Sequence, residues 1–93
     1  MVDEEHFLYR SLNVWSRRDE VTVAVYRCFE VLPLGKFCVQ SKDFYRRPFS
    51  DAVVLQSEQQ FLELLVESPP GERAGLYDSL EDAIRAHDEE FEG

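Results

Sequence analysis

The chain has 93 residues, 44% of them hydrophobic and 13% aromatic against 31% charged, which is apolar enough for one folded domain and too short for two. Its formal net charge of −9 sits at the ends: residues 1–5 hold three acids and no base, residues 78–93 hold seven acids against Arg85 alone, and acids and bases cancel between them. A neutral body with acidic ends lacks the basic face that binds phosphates, and its charge repels anionic membranes, so neither nucleic acid nor membrane is expected as a partner.

Leu8, Leu12, Val14 and Trp15 fit either a strand or a helix period, and residues 7–17 are read as a first antiparallel strand, with a short helix over residues 3–12 as the alternative. A polar turn, Ser16 to Glu20, leads into the clearest strand, Val21 to Val31. There Val21, Val23, Val25, Phe29 and Val31 share one parity, which is assigned to the core. Leu32-Pro33-Leu34-Gly35 supplies a tight reversal, and residues 36–45 return as a third strand that ends before Arg46-Arg47-Pro48. The register that keeps apolar residues together sets Val31 opposite Phe37 and Phe29 opposite Val39. It also places Cys28 opposite Gln40 and Cys38 opposite Glu30, on the other face.

Two helices follow. Ser57-Glu58-Gln59-Gln60 fits a capping box, with Phe61, Leu64 and Leu65 at helical spacing behind it, and Pro69-Pro70 as the stop. The second helix starts at a cap on Asp78 or Ser79 and carries Leu80, Ala83, Ile84, His87 and Phe91 on one face. The order predicts an α+β fold, βββαα: a three-stranded antiparallel meander with both C-terminal helices packed on its valine-rich face.

Within that frame Arg27 breaks the pattern, because it shares the parity of Val25 and Phe29 and a guanidinium is seldom buried unpaired. The register places Ser41 opposite it and Asp43 one step diagonal. Arg27, Ser41 and Asp43 therefore form either a structural ion pair or a polar pocket for an anionic ligand, and the second option carries the alternative reading of the chain as a small ligand-binding protein or enzyme. Cys28 and Cys38 sit too far apart diagonally for comfortable disulfide geometry and are expected as free thiols. His6 and His87 lie near opposite ends without the paired spacing of a zinc site, so neither a metal nor a cofactor is called for. Arg46-Arg47, flanked by Asp43 and Asp51, is too small for a nucleic-acid patch.

No nucleophile elbow, phosphate loop or metal-binding pair is present, which leaves a non-catalytic protein-interaction or regulatory module as the expected function. An immunity-type or antitoxin-type inhibitor that binds a basic partner through the acidic ends would be one instance. The sheet face with Tyr26, Cys28, Glu30, Cys38 and Gln40, left open if both helices take the other face, is the expected surface for a protein partner or for a second copy in a homodimer. With no membrane-length apolar run and an acidic N-terminus, a cytoplasmic location is expected.

Overall fold

The computed structural model describes residues 8–32, 34–72 and 75–91. Three strands, β1 (Tyr9–Arg17), β2 (Thr22–Val31) and β3 (Lys36–Arg46), pair antiparallel in the order β1-β2-β3, followed by the helices α1 (Asp51–Glu67) and α2 (Leu80–Phe91). This is the expected α+β meander with two C-terminal helices. Residues 9–12 are strand, against the helical alternative, whose residues 3–7 lie outside the described residues. The reversal between β2 and β3 closes with the N–H groups of Leu34 and Gly35 on the Val31 carbonyl, and Gly35 takes a φ of +67°, where a side chain would be strained.

The β1–β2 register is regular, Tyr9 opposite Val31 through Arg17 opposite Val23. The β2–β3 register is not. From Thr22 opposite Arg46 to Arg27 opposite Ser41 it follows the expected pairing, then a bulge intervenes and Cys28 lies opposite Val39, Phe29 opposite Cys38 and Val31 opposite Lys36. The expected pairs Val31 with Phe37 and Phe29 with Val39 are thus wrong by one residue, because Gln40 stands as the extra residue of β3. A bulge inserts one residue and flips every side chain beyond it. Cys38 joins the face of Phe29 and Arg27; Phe37 and Val39 join the face of Tyr26 and Cys28.

That flip places apolar groups on both faces of β3, and the helices divide between them instead of sharing one. Ala83 of α2 is buried with Tyr26, Cys28 and Val39, flanked by Leu12, Val14, Leu80 and Ile84. On the opposite face Phe61 of α1 stacks on Phe29, ring centroids 5.4 Å apart. Helix α1 begins six residues before the expected capping box: Ser50 is its N-cap, with Oγ accepting from the Val53 N–H, and Ser57 lies inside it. Helix α2 is capped by Ser79, whose Oγ accepts from the Asp82 N–H. Between the helices, Tyr77 exchanges both backbone hydrogen bonds with Phe37, at 2.8 Å each, and so covers the start of the outer edge of β3.

Candidate functional site

Arg27 is 4% exposed and every nitrogen of its guanidinium is engaged. Nε donates to Asp43 Oδ2 at 2.7 Å, Nη2 to the Tyr45 hydroxyl at 2.8 Å and Nη1 to Glu58 Oε1 at 3.3 Å, while the ring of Phe61 lies 5.4 Å from the guanidinium carbon. The regular half of the register sets Arg27, Asp43 and Tyr45 on one face, and α1 brings Glu58 and Phe61 down from above. Burial opposes the charge on Arg27, but Asp43, Tyr45 and Glu58 outweigh it and hold the guanidinium above its ordinary value. Of the three residues singled out in the sequence, Arg27 and Asp43 meet and Ser41 lies opposite Arg27 without a hydrogen bond to it among the described contacts. Tyr45 and Glu58 were missed, although Tyr45 shares the parity of Arg27 and Asp43 and could have been read from it. The cluster clamps α1 to the sheet.

The face expected to be open is closed. Tyr26 is 5% exposed, Cys28 and Cys38 are fully buried, and α2 lies over the first two. Cys38 is not on that face at all, because the bulge turns it toward Phe29. Glu30 is partly buried and pairs with Arg10 at 3.5 Å. The reading of Tyr26, Cys28, Glu30, Cys38 and Gln40 as a docking face fails for these reasons. Tyr26 instead donates its hydroxyl hydrogen to Asp88 of α2, 2.9 Å to Oδ2, and Lys42 donates to the same carboxylate at 3.2 Å while lying 4.6 Å above the Tyr26 ring. Burial works against charge on Asp88, yet the Tyr26 and Lys42 contacts hold its carboxyl below the ordinary range.

Both cysteines are free thiols, and burial pushes Cys28 up to about 12 and Cys38 up to about 11. Thiols held that high are inert, so neither offers a nucleophile. No group of three or more His, Cys, Asp or Glu is disposed to hold a metal among the described residues. No described helix is long and apolar enough to cross a membrane.

A cleft of about 390 Å³ opens beside the bulge, between Gln60 and Leu64 of α1 and His87, Glu90 and Phe91 of α2. Two of its lining side chains carry buried polar atoms without a hydrogen bond among the described residues, Gln40 Nε2 and His87 Nδ1, the latter 4.0 Å from Asp88 Oδ1. Burial, helped by the Lys42 ammonium and opposed by Asp88 and Glu90, holds His87 below its ordinary value and favours the neutral ring. Both atoms are shielded from solvent, so a molecule in the cleft cannot reach them without moving the side chains.

The surface that stands out is elsewhere. No residue of α1 is fully buried, and Leu55, Leu62 and Val66 are 59%, 56% and 86% exposed at steps of seven and four along the helix. Ser57, Gln60 and Leu64 turn toward Ser41 and Asp43 of β3, and Glu58 and Phe61 reach β2, so the exposed stripe lies on the side of α1 away from β3. Beyond β2 on the same sheet face stand Ser11, Asn13 and Trp15 of β1, all exposed, with the Trp15 ring 6.5 Å from that of Tyr45. A surplus of apolar residues on α1 was visible in the sequence, where Val53, Val54, Leu55, Leu62 and Val66 exceed one helical stripe.

No protein-family model matches the chain, and comparison with curated proteins and with solved structures finds no significant match.

Proposed function

We propose that this protein is a non-catalytic protein-interaction module whose contact surface is the side of the sheet shared by α1 and β1. The observation that carries this reading is the run of large apolar side chains left exposed there, Trp15 on β1 with Leu55, Leu62 and Val66 on α1. Water-exposed leucines scattered singly need no explanation, but a helical stripe of them on the sheet face that also exposes a tryptophan has the composition of an interface core. The competing ligand pocket at Arg27 has little to offer a ligand, since all three guanidinium nitrogens are already bonded within the chain. The immunity-type or antitoxin-type form, in which a basic partner meets the acidic end, would instead use Glu89 and Glu90 on α2, across the sheet from this surface, and is the reading that adducts on α2 would favour.

The test is a photo-crosslinking amino acid placed at Leu62 in cells that make the chain, compared with one at Arg85 on the exposed side of α2. Adducts are expected from position 62. Adducts from position 85 with none from 62 would move the interaction to the acidic helix and end the proposal.

A further inference from the structure

The two outer edges of the sheet differ. That of β3 is covered at its start by Tyr77 and flanked by both helices, whereas β1 presents a nine-residue edge to which no described residue pairs. Which of its backbone groups face outward follows from the hydrogen bonds at its two ends. The Leu32 N–H donates to the Leu8 carbonyl, and the Arg18 N–H donates to the Thr22 carbonyl. Inward bonding therefore falls on the even positions of β1, and antiparallel alternation leaves the N–H and C=O of Tyr9, Ser11, Asn13, Trp15 and Arg17 pointing away from the sheet. Edges of this length are normally blunted by charged side chains, proline or a bulge. β1 has neither proline nor bulge, and its two charges, Arg10 and Arg17, stand near its ends and leave the middle of the edge, Ser11 to Ser16, uncharged.

From this edge we infer that the occupant of the interaction surface is a second copy of the chain, joined by antiparallel pairing of β1 with β1 about a two-fold axis at Asn13. The inference rests on the proposed interaction module and names its partner. The strand is self-complementary in that register. Tyr9 meets Arg17, Ser11 meets Trp15 and Asn13 meets Asn13, all odd positions, which are the ones with free outward groups. The even positions then meet as Leu12 with Val14, partly buried on the α2 side, and Arg10 with Ser16. Neither Arg10 nor Arg17 faces an arginine, so the basic character of the strand does not oppose the seam. Shifting the register by two residues keeps the outward groups paired but shortens the seam and takes Asn13 off the axis. On the α1 side, the two copies of Trp15 flank the axis between the two α1 stripes, where Leu55 and Leu62 of each copy turn inward. An isologous contact of this kind closes on itself at two chains and makes one six-stranded sheet.

Sedimentation equilibrium of the full chain is expected to give twice the monomer mass of 10.9 kDa. Asn13→Pro removes an outward N–H without touching the β1–β2 ladder, so it should keep the native circular dichroism and sediment as a monomer. Asn13→Lys, which opposes two like charges on the axis, is the second variant should the proline perturb folding, and it too should be monomeric. With both native thiols buried, a short bifunctional maleimide should join Asn13→Cys chains into dimers and leave Arg85→Cys chains single. A monomeric wild type overturns the second copy as occupant; if position 62 still crosslinks to another protein, the interaction module survives that failure. A dimeric wild type that stays dimeric in both Asn13 variants places the contact elsewhere and overturns the strand seam.

Discussion

Replacing Arg27 by methionine separates a structural clamp from a ligand site. The substitution keeps the aliphatic length of the side chain against Phe61 and removes three hydrogen bonds and one buried charge. Asp43 and Glu58 then lose the cation they share, and the buried Tyr45 hydroxyl loses its donor. Removing one partner of a buried pair costs roughly 3–5 kcal/mol, and the lower end applies because the Asp43 side chain is 26% exposed and Glu58 51%, so water reaches both. A loss of about 3 kcal/mol lowers the melting temperature of a domain this size by about 12–24 °C. Arg27→Met/Asp43→Leu removes the orphaned carboxylate as well and should recover at least half of that drop, since a buried pair is often replaceable by apolar residues without loss. Thermal unfolding followed by circular dichroism at neutral pH reads all three proteins. A drop under about 4 °C for Arg27→Met, the effect of less than about 1 kcal/mol, would show that the guanidinium is dispensable to the fold and return it to the list of candidate ligand groups.

Three further outcomes follow from the packing. Ser50→Ala should cost about 1 kcal/mol in urea denaturation and Ser57→Ala close to nothing, because Ser50 caps α1 and Ser57 lies within it; the reverse order would restore the later helix start. A disulfide-exchange dye at pH 8 should react with neither cysteine until the chain is unfolded, when both should titrate; fast reaction in the native protein would contradict the burial that raises Cys28 to about 12 and Cys38 to about 11. For His87, burial and the facing Lys42 from β3 outweigh Asp88 and Glu90, so the folded protein releases the proton more readily than the unfolded chain. Stability is then fully present above the ordinary value of 6.5 and falls as pH drops through the lowered folded value; His87→Gln should flatten that part of the pH profile, and an unchanged profile would refute the assignment.

How much of this the residues disclose depends on where two periods compete. In β2 the valine parity has no rival, so the strand and the half-register from Thr22 to Arg27 are legible, and with them the meeting of Arg27 and Asp43. In α2 the apolar positions repeat every three to four residues after a serine cap, and Leu80–Phe91 follows directly. The start of α1 is hidden because Val53 and Val54 are β-branched residues that favour strands, while the first pattern that resembles a cap, at Ser57, falls inside the helix.

The bulge is hidden for a sharper reason. Phe37, Cys38 and Val39 are apolar in succession, so moving the register by one exchanges one apolar residue for another opposite Phe29 and sets only Lys36 in place of Phe37 opposite Val31, a difference too small for parity to decide against a bulge. The consequences of that one residue run through the whole molecule. Once Cys38 joins Phe29 and Val39 joins Cys28, β3 is apolar on both faces beyond the bulge, and neither face can be left to water. Two helices must then divide between two faces. One helix of 17 residues cannot cover a three-stranded face alone, and α1, tied by Glu58 and Phe61 to β2 and lying beside β3, leaves the share of β1 bare. The exposed tryptophan therefore follows from the division of the helices between the two faces, while the unpaired edge of β1 belongs to the meander order itself. Deleting Gln40 should make the register continuous while keeping Val39 opposite Cys28, Cys38 opposite Phe29 and Phe37 on the face of α2, so circular dichroism should show the native fold; a chain that no longer folds would show that the bulge itself, and not only the faces beyond it, is required.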